Sequence, residues 1–139
     1  TALRGSRCML VDPDRTSQDI FAAFMPKKDH EDEEILRAQE LIEGSYKENI
    51  KMETLAKQAG TSLRQFNRRF KSATGETAVK YLQYTRAEAA KILLVTTHNA
   101  FEDIAPMVGY ENVSFLRRVF KSSTGMTPAE FRRKFGKFE

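Results

Sequence analysis

A single cysteine, Cys8, leaves the 139-residue chain unable to close an internal disulfide, so packing alone must hold the fold and a reducing compartment suits it. Histidine is almost as scarce. His30 and His98 have no ligand spacing with each other or with Cys8, so no metal site and no cofactor is expected. Tryptophan is absent, and ten Phe with four Tyr must supply the aromatic bulk of a core. Seven Gly and four Pro are too few for a loop-rich or fibrous chain and fit a compact helical one. No apolar run approaches the roughly 18 residues that span a bilayer, and no signal-peptide pattern opens the chain. A cytoplasmic protein without a membrane partner is expected. Catalytic grammar is missing too: there is no GxSxG, no phosphate-binding loop and no Cys–His triad, so no enzyme and no catalytic residue is expected, and Cys8 reads as a small apolar filler.

What the chain does have is unevenly placed charge. The total is +4, yet residues 1–50 carry 7 Lys/Arg against 11 Asp/Glu, net −4, while residues 51–139 carry 16 against 8, net +8. A polyanion would meet the second part. Charge alone serves equally well to keep a helical surface solvated, so spacing has to decide. The first residue is Thr1 rather than Met, and residues 1–30 read as a linker left from a sensor domain of a longer protein.

The chain repeats itself. ETLAKQAGTSLRQFNRRFKSATGETAVKY, residues 53–81, resembles EDIAPMVGYENVSFLRRVFKSSTGMTPAEF, residues 102–131. Leu55, Ala56 and Gly60 match Ile104, Ala105 and Gly109. After one inserted residue, Phe66, Arg68, Phe70, Lys71, Thr74 and Gly75 match Leu116, Arg118, Phe120, Lys121, Thr124 and Gly125. Each copy reads as a short helix, a glycine turn and a second helix, which is helix-turn-helix grammar. Ser62 with Gln65, Asn99 with Glu102 and Thr127 with Glu130 have capping-box spacing, Pro128 suits a first helical position, and Asn112 is placed to cap the second helix of its copy.

Between the copies, residues 77–95 place Val79, Leu82, Ala89, Ala90, Leu93 and Leu94 at helical spacing with no Gly or Pro inside, predicting one continuous connecting helix. Its 19 residues would span roughly 28 Å, near the ~34 Å between successive major-groove faces on one side of DNA. Upstream, Ile35, Leu36, Ala38, Gln39, Leu41 and Ile42 predict a helix after an acidic start. The expected architecture is all-α: about seven helices in two tandem helix-turn-helix subdomains, residues 31–76 and 97–139, joined by a helix over 77–96.

Within the second helix of the first copy, Leu63, Phe66 and Phe70 share the buried face, which turns Arg64, Gln65 and Arg68 outward as candidate DNA base contacts. Arg69 and Lys71 fall on the flanks, where basic side chains meet phosphates. In the second copy Val113, Leu116 and Phe120 turn inward, Ser114, Phe115 and Arg118 outward, and Arg117 and Lys121 lie at the rim as phosphate candidates. The cap residues Ser62 and Asn112 join that phosphate set. An outward Phe115 either covers a neighbouring helix or touches a thymine methyl. Arg68 and Arg118, at matching positions, share either a structural task or a base contact. Arg132, Arg133 and Lys134 read as solvated charge. A protein- or RNA-interaction module is the rival reading, because helix pairs with basic faces also bind acidic proteins or folded RNA.

At LAKQAGTSLRQFNRRFKSATG, at Arg86 followed by AAKILL, at DIAPMVGYENVSFLRRVFKSSTG and at TPAEFRRKF, the sequence resembles the DNA-binding domain of the AraC/XylS family of transcription regulators, over residues 35–135. The resemblance implies two helix-turn-helix subdomains joined by a long helix, binding adjacent major grooves of a double-stranded operator and usually activating transcription. RNA polymerase as a partner, and dimerisation through a separate domain, are further implications. Residues 1–45, above all DPDRTSQDIFAAF and HEDEEILRAQELIE, look like the junction in relatives whose other half is a class I glutamine-amidotransferase-like domain. Members of that branch often control catabolic genes. The sequence departs from the family at Ala78, where many relatives carry Pro as at Pro128. It departs again at Pro106, which is expected to fall near the first turn of its helix and leave it intact.

Overall fold

The computed structural model describes residues 30–136. The linker expected over residues 1–30 lies outside this range apart from His30, as does Cys8. The described residues form seven α-helices and no strand: α1 (Glu33–Ser45), α2 (Met52–Gln58), α3 (Leu63–Thr74), α4 (Ala78–Thr96), α5 (Phe101–Met107), α6 (Val113–Thr124) and α7 (Pro128–Phe135). None is long and apolar enough to cross a membrane. The chain divides into two compact units whose boundary falls inside α4, between Arg86 and Ala87. The helix expected as a connector is therefore shared out, half to each unit.

In the unit from Pro26 to Arg86, α1 begins because Asp32 adopts extended backbone and accepts from the Ile35 amide, with Glu33 and Glu34 in the first turn where the helix dipole favours them. Ile35, Ala38 and Ile42 then face Leu55, Ala56, Phe66, Phe70, Ala78, Tyr81 and Leu82 in one buried cluster. Phe70 is its hinge, with ring centroids 5.8 Å from Phe66 and 5.5 Å from Tyr81. Burying one such ring contributes on the order of 1.5–3 kcal/mol. Val79, expected inside, is exposed, whereas Ala78 and Tyr81, each one residue before an expected core position, are buried. Leu63 is only partly buried against the cluster.

The unit from Ala87 onward repeats this plan with α5, α6 and α7. Phe120 stacks edge-on against Phe101 at 5.7 Å and Phe131 at 5.3 Å, and Phe131 continues to Phe135 at 4.8 Å. Leu94, Ile104, Ala105, Val108 and Leu116 are buried as well. Phe supplies here the bulk that tryptophan would give elsewhere, with no polar N–H to satisfy.

Both glycine turns are Schellman motifs. Gly60 (φ 73°) donates to the Lys57 carbonyl while Thr61 donates to Ala56; Gly109 (φ 103°) donates to Pro106 while Tyr110 donates to Ala105. The positive φ is what demands glycine at both places. The ends of α3 and α6 are also alike: the Thr74 and Thr124 hydroxyls each donate to the carbonyl four residues back, Phe70 and Phe120.

The caps divide. Thr127 and Glu130 form the complete capping box at α7, with Pro128 first in the helix. Ser62 accepts from the Gln65 amide, but the Gln65 side chain turns to Thr61 instead of returning to the cap. Asn112 accepts from Ser114 and Phe115 as expected. Asn99 does not cap α5: the helix starts one residue later behind Ala100, and the Asn99 amide lies 3.9 Å from the Met107 sulfur. Pro106 stands in the second turn of α5, not the first. The helix persists because the exposed Glu102 supplies the carbonyl that loses its partner, and water can reach it.

Candidate nucleic-acid interface

Each unit presents the second helix of its turn motif to solvent along a polar stripe. On α3, Arg64, Gln65, Arg68 and Lys71 are exposed, opposite the buried Phe66 and Phe70. On α6, Ser114, Arg117, Arg118 and Lys121 are exposed, opposite Leu116 and Phe120. Both helices begin at a capped, rigid turn, so their first two turns project a fixed set of side chains. Helix periodicity alone placed these faces, since residues three and four apart share a side.

What periodicity could not supply is the engagement of each side chain. Arg69, expected on a phosphate, is folded back onto the start of α1. Its Nε donates to Asp32 Oδ2 at 3.1 Å and its Nη2 to Asp32 Oδ1 at 2.7 Å and Glu34 Oε1 at 2.8 Å. Burial works to raise the Asp32 carboxyl, but the Arg69 hydrogen bonds and the Ile35 amide outweigh it and hold the group below its ordinary range. Arg69 is correspondingly raised, first by its Asp32 bond and then by Glu34.

Arg117 donates to Glu102 at 3.1 Å and lies 5.4 Å from the Phe101 ring centroid, yet stays about half exposed. Phe115 is half-buried. Its ring meets Tyr110 edge-on at 5.5 Å, and the Arg118 guanidinium lies over it at 5.4 Å. In the first unit the corresponding pair is polar: the Thr61 hydroxyl donates to Gln65 Oε1 at 2.7 Å. Arg117, Arg118 and Lys121 line one surface groove of about 460 Å³ with Ser114, Ser122 and the α7 start at Thr127 and Pro128. The lining holds three cations and no carboxylate, although Arg117 is paired with Glu102 outside it, so the groove is electropositive.

Arg132 is a correction to the sequence reading. It is no solvated tail charge: its Nε donates to the Leu94 carbonyl at 3.0 Å and its Nη2 to Thr97 at 3.1 Å and Asn99 at 2.6 Å. Arg133 and Lys134 are exposed. Arg86 behaves like Arg132, donating to the carbonyls of Tyr46 at 2.7 Å and Glu48 at 2.8 Å. Acceptors 33 to 40 residues away leave no trace in local spacing. Among the described residues no cluster of His, Cys, Asp and Glu is placed to hold a metal ion.

The family model of the helix-turn-helix domain matches residues 55–134. The bifunctional transcriptional activator/DNA repair enzyme AdaA of Bacillus subtilis is 39% identical over 94 residues, 68% of this chain and 44% of that protein, so the chain spans less than half of its relative. The C-terminal domain of AraT, a response regulator from Geobacillus stearothermophilus, superposes with a TM-score of 0.71 at 26% identity, covering 76% of this chain and 88% of that one. The DNA-binding domain of the global transcriptional factor AdpA, solved with a target DNA, gives 0.67 at 30% identity over 71% and 89%. A transcriptional regulator described as AraC-type, from Chromobacterium violaceum, superposes with a TM-score of 0.67 at 26% identity over 73% of this chain and 90% of that one. With two capped turn motifs and two polar second helices in hand, the chain belongs to the helix-turn-helix domain family, of the AraC type.

Proposed function

We propose that the chain binds double-stranded DNA by sequence, as the DNA-reading part of a transcription regulator. The observation that carries this is the twice-built turn motif whose second helix turns uncommitted donors outward: Arg64, Gln65, Arg68 and Lys71 on α3, and Ser114, Arg118 and Lys121 on α6. Arg64, Gln65, Arg68, Ser114 and Arg118 contact base edges, and Phe115 lies among them. Lys71, Arg117 and Lys121 contact phosphates. Ser62 and Asn112 join the phosphate contacts, because capping uses only the acceptor side of each and leaves the hydroxyl proton and the Asn112 amide protons free for an anion. Arg69 is left out of the phosphate set: with Asp32 and Glu34 on its donors, it braces α3 against α1. The AdpA domain, solved with a target DNA, is a solved precedent for the fold in this role.

The same reading extends to the whole protein. It works in the cytoplasm, activates catabolic genes with RNA polymerase as partner, and dimerises through a separate domain resembling a class I glutamine amidotransferase. Support for that extension comes from the residues resembling the family junction and from relatives named as transcriptional activators.

The test is selection from a random duplex pool at moderate salt, followed by salt titration of the winner and a scrambled control. Two short motifs about one helical turn apart are expected, with affinity falling steeply as salt rises. No enrichment, or tighter binding to folded RNA or an acidic protein, would refute DNA reading.

A further inference from the structure

Positions 61, 65 and 68 in the first unit and 110, 115 and 118 in the second occupy equivalent places. Each set comprises the residue after the turn glycine, the third residue of the reading helix and its sixth. In both units the first two are tied together, by the Thr61–Gln65 hydrogen bond in one and the Tyr110–Phe115 edge contact in the other. Among the described residues only the second unit adds a second tie, from Phe115 to Arg118.

Resting on the DNA-reading proposal above, we infer that Phe115 is a positioning residue: a platform, fixed by Tyr110, that holds the Arg118 guanidinium for reading a guanine. Tyr110 is buried, so its contact with Phe115 is set by the core. Phe115 sits one helical turn before Arg118, and residues so spaced stack on one face. A cation over an aromatic ring is attracted to its face and loses freedom to swing. Among the described residues no carboxylate pairs with Arg118, whereas Arg117 faces Glu102 and Arg69 faces Asp32 and Glu34. Arg118 therefore keeps its full set of donors while its plane is fixed from beneath. A flat fork of N–H groups matches guanine O6 and N7 in the major groove, and adenine, which offers a donor beside N7, mismatches it. Phe115 itself is engaged by both Tyr110 and Arg118, which leaves less of its ring to meet a thymine methyl.

The experiment measures binding of wild type, Phe115→Leu, Phe115→Tyr, Arg118→Gln and the Phe115→Leu/Arg118→Gln double variant. Each is tested against the selected operator, every single-base substitution in the second unit's motif, and a scrambled duplex. Thermal unfolding is recorded for each. Phe115→Leu is expected to lower discrimination at one guanine about tenfold, with the scrambled duplex bound as before. Phe115→Tyr keeps the ring and restores the preference, and Phe115→Leu adds nothing once Arg118 is Gln. Lost discrimination at a thymine that persists in the Arg118→Gln background would overturn the inference, as would equal weakening on every duplex. Should Leu loosen the unit, Phe115→Tyr carries the test, because loss of guanine preference with the ring retained is equally fatal. A selected motif with no guanine dependent on Arg118 sinks this inference alone; no selected motif sinks the DNA reading with it.

Discussion

Arg86 and Arg132 do the same work in the two units from different places in the repeat. Each lies towards the end of its unit and spreads its guanidinium over carbonyls ahead of the turn motif: Tyr46 and Glu48 for Arg86, and Leu94 in the last turn of α4 with Thr97 and Asn99 in the loop for Arg132. By the offset of 50 that aligns the second helices, Arg132 corresponds to Leu82, not to Arg86. Carbonyls ahead of each turn motif are thus satisfied in both units, by separately placed arginines. Replacing Arg132 by Ala leaves three part-buried acceptors to water or to nothing and should cost about 1–3 kcal/mol in urea unfolding. Lys, with one point-like head, should recover less than half of that. An unchanged midpoint for Arg132→Ala would mean water serves these carbonyls as well as the guanidinium does.

Arg69 and Lys121 were equal phosphate candidates by sequence and should behave differently. Lys121→Gln is expected to reduce the slope of log affinity against log salt by about 0.9, and Arg69→Gln to leave it nearly unchanged. Asp32→Ala, which removes a cap and a partner of Arg69, should cost about 1–2 kcal/mol of stability. Asp32 titrates below its ordinary value when folded, so its contribution is present at neutral pH and fades as pH falls through that lowered value. Equal salt slopes for the two substitutions would return Arg69 to the DNA backbone.

Glu88 supplies the opposite pH dependence. It is buried on α4; its Oε2 accepts from the buried Lys91 ammonium, and its Oε1 has no partner among the described residues. Burial pushes its carboxyl from 4.5 up to about 7, against the pull of Lys91. The folded state therefore holds the proton more tightly, and this stabilisation is complete below pH 4.5 and lost as pH rises to about 7. Between pH 5 and 8 wild type should lose up to about 3 kcal/mol relative to Glu88→Gln. Urea titrations at both pH values check it, and parallel profiles would show Glu88 ionised throughout.

Gly60 tests the turn. A methyl group added there meets nothing within 4 Å, so Gly60→Ala isolates the backbone cost of φ 73°. That cost is about 1–2 kcal/mol, readable in thermal unfolding. A neutral substitution would mean that the turn relaxes to negative φ.

The repeat, the glycine turns and the apolar spacing made all seven helices legible in the sequence, because each depends on residues within a turn or two. The exposed faces of α3 and α6 followed from the same periodicity. Arg69, Arg86 and Arg132 escaped it because their partners lie 33 to 40 residues off, where no local rule reaches. Asn99 misled by one residue: its spacing to Glu102 fits a capping box, but Thr97 donates back to the Leu93 carbonyl and α5 starts only after Ala100. From spacing, Phe115 fits either a cover or a methyl contact, because its contact with Tyr110 crosses a turn whose geometry spacing alone does not give.

The unit boundary inside α4 bears on how the chain folds. Starting a helix is the unfavourable step, since several residues must be fixed before the first hydrogen bond forms, while each further residue adds a bond of its own. Residues 78–86 are ordered by packing with α1–α3, and residues 87–96 continue the same helix. Whichever core condenses first hands its neighbour a helix already nucleated.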